Sequence, residues 1–205
     1  MLESFVNVIN RGGVIMLPII LFSTYATYLI IKKWIYYRKV QKEVYSFVPA
    51  FLNIVKEGDL TQAKKISSES EGIMPRIMSA GLENYEIGKA DIERYIHEVV
   101  LEEMPQLEKS LSTVAVIATM LPMLGLLGTV SGMISTFNVI SFLGTGDPNA
   151  LAGGISEALI TTEAGLITAL PILFFHNHLA TKYELIVSNI EKNIMKFLNL
   201  VTQDK

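Results

Sequence analysis

The stretch Ser156-Glu157-Ala158-Leu159-Ile160-Thr161-Thr162-Glu163-Ala164-Gly165-Leu166-Ile167-Thr168-Ala169-Leu170-Pro171 sets two carboxylates and three threonine hydroxyls in the most apolar third of the chain. An ionised carboxylate at the centre of a lone membrane helix costs about 2.5–3.5 kcal/mol on insertion scales, so acids kept there face a bundle interior or a water-filled path. At about 100° per residue, Glu157, Thr161, Ala164, Thr168 and Pro171 fall within roughly 40° of Glu157, whereas Glu163 points about 120° away and Thr162 about 140° to the other side. The two acids therefore do not face one site. With the third span opening near Ala152, Glu157 lies ~7 Å below the outer surface and Glu163 ~17 Å, close to mid-bilayer, with Thr162 at a similar depth. Thr129 lies ~21 Å from the outer end of the preceding span, which places Thr129 and Thr162 at a common level and raises the prospect of a polar ring.

Each of these residues has a plainer reading. Glu157 is shallow enough to snorkel to the interface. Thr129, Thr161, Thr162 and Thr168 can each bond a carbonyl one turn back on their own helix. Glu163 can serve a hydrogen-bonded contact between helices instead of a path. Gly125, Gly128 and Gly132 sit in Leu124-Gly125-Leu126-Leu127-Gly128-Thr129-Val130-Ser131-Gly132. Gly128 and Gly132 form a GxxxG pair, which either lets a neighbouring backbone come close or is merely tolerated in a span. With Gly165 on the third span they are the candidates for close helix packing.

Other chemistries lack their residues. Cysteine is absent, and the net charge of −3 argues for no nucleic-acid partner. His176 and His178 diverge by about 160° on a helix and make a poor metal pair. No nucleophile with a base and no Gly-rich phosphate loop occurs, so no catalytic residue, metal or cofactor is expected.

The elements that must hold the polar residues are membrane spans. Gly12 to Ile31 and Ser110 to Gly146 carry no charge, and Ala164 to Thr181 contains no Asp, Glu, Lys or Arg; ~20 such residues cross a bilayer. Lys and Arg mark the cytoplasmic side, and twelve of them fall between residues 32 and 110 while the turn at 144–149 has none. The expectation is an all-α integral membrane protein with three spans and long helices extending into the cytoplasm. Its parts are a periplasmic N-terminus (1–11), an uncleaved first span (12–33), a cytoplasmic helical region (34–109), a second span with a cytoplasmic extension (110–143), a periplasmic turn (144–151), a third span (152–175) and a cytoplasmic C-terminal helix (176–205). In the cytoplasmic region, Val44, Phe47, Val48, Phe51, Leu52 and Val55 recur at helical spacing. Gly58 ends that helix, Asp59 caps the next, and Ser67 to Gly72 reads as a linker. The pattern Ile92, Tyr95, Ile96, Val99, Val100, Glu103 and Leu107 is expected to feed the second span. Leu179, Tyr183, Ile186, Ile190, Ile194, Phe197 and Val201 form a seam that continues the third.

Two blocks carry a family resemblance. Leu121-Pro122-Met123-Leu124-Gly125-Leu126-Leu127-Gly128-Thr129-Val130-Ser131-Gly132-Met133-Ile134 and Gly154-Ile155-Ser156-Glu157-Ala158-Leu159-Ile160-Thr161-Thr162-Glu163-Ala164-Gly165-Leu166, followed by Ala169-Leu170-Pro171 and Asn177, resemble the signature of the MotA/TolQ/ExbB proton-channel family. With three spans the layout is similar to an ExbB or TolQ subunit. The resemblance implies a bacterial inner-membrane subunit of a motor driven by the proton-motive force. It also implies a homo-oligomer, a pentamer, surrounding a single-span partner of the ExbD/TolR type, with a TonB- or TolA-like protein further along and membrane lipid around it. That partner supplies the proton-carrying aspartate. In family terms Thr129 and Thr162 match pore-facing threonines and Glu157 the third-span glutamate, while nothing carries over to Glu163. A stand-alone channel or transporter, and a structural membrane scaffold, are the alternatives, and the choice between H⁺ and Na⁺ stays open.

Overall fold

From Met16 no glycine interrupts the sequence until Gly58, and Pro49 is carried inside the helix. In the computed structural model, which describes residues 12–85, 88–143 and 148–203, Met16–Lys56 is accordingly one helix, α1, 41 residues long. Gly58 closes it at φ +80°, a left-handed conformation that favours glycine. The Asp59 carboxylate then accepts the Gln62 N–H at 2.9 Å and opens α2, Leu60–Glu69. α3 covers Ile73–Glu83, α4 Lys89–Glu108, α5 Leu111–Leu143 and α6 Pro148–Gln203. Every regular element among the described residues is helical, and α1, α5 and α6 contain the three stretches long and apolar enough to cross a membrane. The chain is a membrane protein. The segments read as a periplasmic N-terminus (1–11) and as the tip of the outer turn (144–147) lie outside the described residues.

The chain divides into two compact units. The first contains residues 12–31 and 110–178. Met16, Ile19, Ala26, Leu29 and Ile30 line its interior from α1, and Val114, Ile117, Ala118 and Leu121 from α5. On α6 the buried positions Ala158, Thr161, Gly165, Ala169 and Ile172 recur every three or four residues. The opposite faces stay apolar: Leu126, Val130 and Phe137 on α5 and Leu166, Ile167 and Leu170 on α6 are exposed. An α-helix satisfies its own backbone, so such faces suit hydrocarbon or a neighbouring subunit.

The second unit contains residues 32–109 and 179–205. Tyr37, Val40, Val44, Phe47, Val48, Phe51 and Val55 form its stripe on α1, and Leu179, Ile186, Ile190, Ile194, Phe197 and Val201 its stripe on α6. Phe51 and Phe197 meet with ring centroids 5.6 Å apart. α3 packs against α2 and α4, and Ile73, Met74, Ile77, Met78 and Leu82 are buried from it. Polar groups close this core. The Tyr37 hydroxyl donates to the Leu107 carbonyl at 2.8 Å and the Lys33 ammonium to the Gln106 carbonyl at 2.9 Å. Glu43 accepts the Met74 N–H at 3.0 Å, satisfying an orphan donor at the start of α3. Buried Glu103 pairs with Arg76. Burial pushes the Glu43 carboxyl above its ordinary value near 4.5, and the Glu103 charge pushes the same way.

Four boundaries differ from expectation. α2 runs through Glu69, because Ser67 and Ser68 return their hydroxyls to the Lys64 and Lys65 carbonyls instead of breaking the helix. α3 was not anticipated: it is short and carries Pro75 and Gly81, but Pro75 sits in its first turn, where proline is tolerated. The α4 pattern does not feed straight into the second span, since Ser110 adopts φ +75° between α4 and α5. α6 opens at Pro148, ahead of Ala152, using proline's fitness for a first helical position.

Candidate functional site: the small-residue seam of the first unit

The residues singled out by chemistry lie on α5 and α6, which approach through glycine. A Cβ added at Gly125 would lie 3.0 Å from Thr162 Cα, one at Gly132 2.7 Å from Ala158 Cβ, and one at Gly165 2.6 Å from the Leu121 carbonyl oxygen. A Cβ at Gly128 would overlap the Thr161 side chain. These glycines bring backbone against backbone along several turns, the way small residues allow helices to touch in a membrane.

The hydroxyls divide by partner. Thr162 donates across the seam to the Gly125 carbonyl at 2.7 Å. Thr161, 1% exposed, contacts two carbonyls, Gly12 at 2.7 Å and Glu157 at 2.9 Å. One hydroxyl proton serves one of these at a time. Thr129 donates to the Leu126 carbonyl at 2.7 Å and Thr168 to Ala164 at 2.8 Å, both on their own helix. The single-helix reading thus describes Thr129 and Thr168, and an interhelical one Thr162. Because Thr162 pairs with Gly125, Thr129 sits one turn, about 6 Å, further along α5. The two threonines are near one another in level without bonding each other.

The acids separate as the helical wheel requires. The Glu157 carboxylate lies against Gly13, where φ is +68° and an added Cβ would collide with it. It therefore sits beside the turn that starts α1, where the Gly13 carbonyl accepts the Met16 N–H at 3.2 Å. A carboxylate near a helix N-terminus is favourably placed toward the helix dipole. Glu163 is exposed, as Glu157 is on its remaining surface, but it is not among the atoms nearest to a Cβ at Gly13 or Gly125. Within one chain, then, Glu157 looks to the start of α1, Thr162 to α5, and Glu163 outward.

Three residues of the seam were not singled out by sequence. Thr136 is buried and bonds the Gly132 carbonyl at 2.9 Å, and Gly154 has no room for a Cβ beside it. Ala158 meets Gly132. The signal was present in the spacing: Thr136 continues Gly128 and Gly132 by one more step of four, and Gly154, Ala158, Thr161 and Gly165 follow one another at steps of four, three and four. Among the described residues no group of three or more His, Asp or Glu side chains converges to hold a metal.

Residues 69–192 match the model of the MotA/TolQ/ExbB proton channel family. A putative biopolymer transport protein ExbB-like 3 of Synechocystis sp. is 29% identical over 174 residues, 84% of this chain and 83% of that protein. A putative ExbB homolog of Methanothermobacter thermautotrophicus is 27% identical over 183 residues, 89% of this chain and 65% of that one. The Tol-Pal system protein TolQ of Pseudomonas aeruginosa is 30% identical over 96 residues, 47% and 42% of the two chains. The chain thus spans most of the first relative and less than two thirds of the other two.

Proposed function

This chain belongs to the MotA/TolQ/ExbB proton channel family, and from that premise we propose that it is the ExbB/TolQ-type subunit of an energy-transducing motor in a bacterial inner membrane. Protons moving down their electrochemical gradient pass along a path bounded by α5 and α6, and their passage moves a single-span partner of the ExbD/TolR type. The N-terminus faces the periplasm and the extended ends of α1 and α6 face the cytoplasm. Five copies surround the partner, whose aspartate takes up and releases the proton, and a TonB- or TolA-like protein receives the work. No covalent chemistry is assigned to the chain.

The observation that carries this reading is the seam itself. Thr162 donates to Gly125 where the two backbones approach so closely that a Cβ on Gly125 would lie 3.0 Å from Thr162 Cα. Such a seam fixes α5 and α6 as one rigid element, against which a partner helix can move. Thr129, Thr162 and Glu157 are assigned to the path, with Thr161 and Thr168 adjoining it and Glu163 at a contact with the next subunit. Gly125, Gly128, Gly132 and Gly165 are assigned to packing.

The experiment is co-expression with a short protein carrying one N-terminal span and an intramembrane aspartate, followed by native mass spectrometry. The expected result is a complex of five copies of this chain with the partner, and Thr129→Val, Thr162→Val and Glu157→Ala chains that still assemble but no longer support energy-dependent work. Full work by all three variants overturns the path assignment, and failure to bind any such partner overturns the motor reading.

A further inference from the structure

The chain has a single tryptophan, Trp34, and two cations from different helices share its ring. Lys182 Nζ of α6 lies 3.9 Å from the ring centroid, and Arg38 Cζ, one turn further along α1, lies 5.4 Å from it. Cation–π attraction accounts for each contact singly. It also keeps the two like charges no more than about 9 Å apart, an arrangement that a nearby anion stabilises. Lys33 contributes to the same basic segment but is buried with its ammonium on the Gln106 carbonyl. The solvent-facing charge therefore comes from exposed Lys32 and Arg38 and half-buried Lys182.

Position identifies the anion. Lys32 is the first charge after the apolar run of α1, and Lys182 the first after the apolar run of α6. Residues 32–42 hold Lys32, Lys33, Arg38, Lys39 and Lys42 with no acid among them. Glu184, the acid nearest to Lys182 in sequence, is exposed and about 200° around the helix from it. Ile35, beside Trp34 on α1, exposes its apolar side chain. Cations at the end of two spans, an indole suited to the interface and adjacent apolar surface together match a phosphodiester that carries acyl chains.

We propose that Trp34, Arg38 and Lys182 form a headgroup site for an anionic glycerophospholipid at the cytoplasmic face of the membrane. The two cations bond the phosphodiester oxygens and Trp34 keeps them together when the site exchanges lipid. A zwitterionic headgroup fits less well, because its ammonium meets the same cations. The site is independent of whether the chain conducts protons.

Trp34 is its own probe. The full chain is reconstituted in vesicles containing phosphatidylglycerol or phosphatidylcholine with brominated acyl chains, and quenching of Trp34 fluorescence across mixed compositions gives the relative association of the two lipids. Two cations at about 1 kcal/mol each correspond to a preference of up to roughly 30-fold for the anionic lipid, so at least threefold is expected. Arg38→Gln and Lys182→Gln each lower the preference several-fold and the double variant brings it near 1, whereas Lys182→Arg and Lys42→Gln retain it. Helical content by circular dichroism must be unchanged in each chain compared. Millimolar glycerol phosphate leaves the lipid preference intact. A wild-type preference near 1, an unchanged preference in the double variant, or competition by glycerol phosphate overturns the proposal.

Discussion

Replacing Gly165 by alanine tests the packing argument at its tightest backbone contact. The added Cβ would meet the Leu121 carbonyl oxygen at 2.6 Å, Gly125 Cα at 3.1 Å and Gly125 N at 3.2 Å. All three are backbone atoms, so no side chain can swing aside. Relaxing the first contact from 2.6 to about 3.4 Å requires α5 and α6 to separate by roughly 0.8 Å there. A gap of that size forfeits about a quarter to a half of each dispersion contact it opens, and overpacking of this kind costs about 1–3 kcal/mol. The Thr162 bond to Gly125 stretches with it, and interhelical bonds in membranes contribute about 0.6 kcal/mol on average. Against this stands the gain of about 1 kcal/mol from alanine's higher helix propensity. Gly153→Ala isolates that gain, because nothing lies within 4 Å of its added Cβ. In reversible SDS-driven unfolding followed by far-ultraviolet circular dichroism, Gly165→Ala is expected to lose about 0.5–2.5 kcal/mol net, and Gly153→Ala to be neutral or slightly stabilised. Equal or greater stability of Gly165→Ala relative to Gly153→Ala would refute the reasoning.

Three further outcomes are expected from the second unit and the start of α1. Arg76→Ala leaves the buried Glu103 carboxylate without its partner and should destabilise the chain by about 1–3 kcal/mol, most of it regained in Arg76→Ala/Glu103→Leu, as a double-mutant cycle of unfolding will read. Glu43 has its carboxyl raised by burial, so folding disfavours its ionised form; its contribution is fully present below about pH 4.5 and is lost as pH rises through the folded value. Glu43→Gln keeps an acceptor for Met74 and should flatten that part of the thermal stability profile between pH 4.5 and 7.5, and an unaltered profile would count against it. Gly13→Ala, at φ +68° and with Glu157 in the way, should be less stable than wild type by about 1–3 kcal/mol, and Gly13→Ala/Glu157→Ala should recover the part due to the collision in thermal melts.

The spans were legible as long runs without charge, and the seam on the tail of α6 because burial there follows one period. Ile186, Ile190, Ile194, Phe197 and Val201 were expected at a packed face from spacing alone and are buried. Gly58 and Asp59 were equally readable, since a left-handed stop and a carboxylate cap are local chemistry. The break at Ser110 was not, because a serine at positive φ has no composition signal. α3 escaped for a related reason: its residues are buried by contacts with α2 and α4, which no short window contains. At the seam, the wheel separated Glu157 from Thr162 and from Glu163, and their neighbours in the fold differ accordingly. What the wheel lacked was the partner of each face, above all the Gly12–Gly13 turn against Thr161 and Glu157, which lies 149 residues away from Thr161.

Proton uptake by liposomes holding the chain with its single-span partner, under an imposed membrane potential, tests the central claim most directly. The account predicts flux only when both proteins are present, its loss in Thr162→Val with the complex still assembled, and its return in Thr162→Ser, which restores the hydroxyl facing Gly125. Equal flux from the chain alone, or undiminished flux in Thr162→Val, would contradict it.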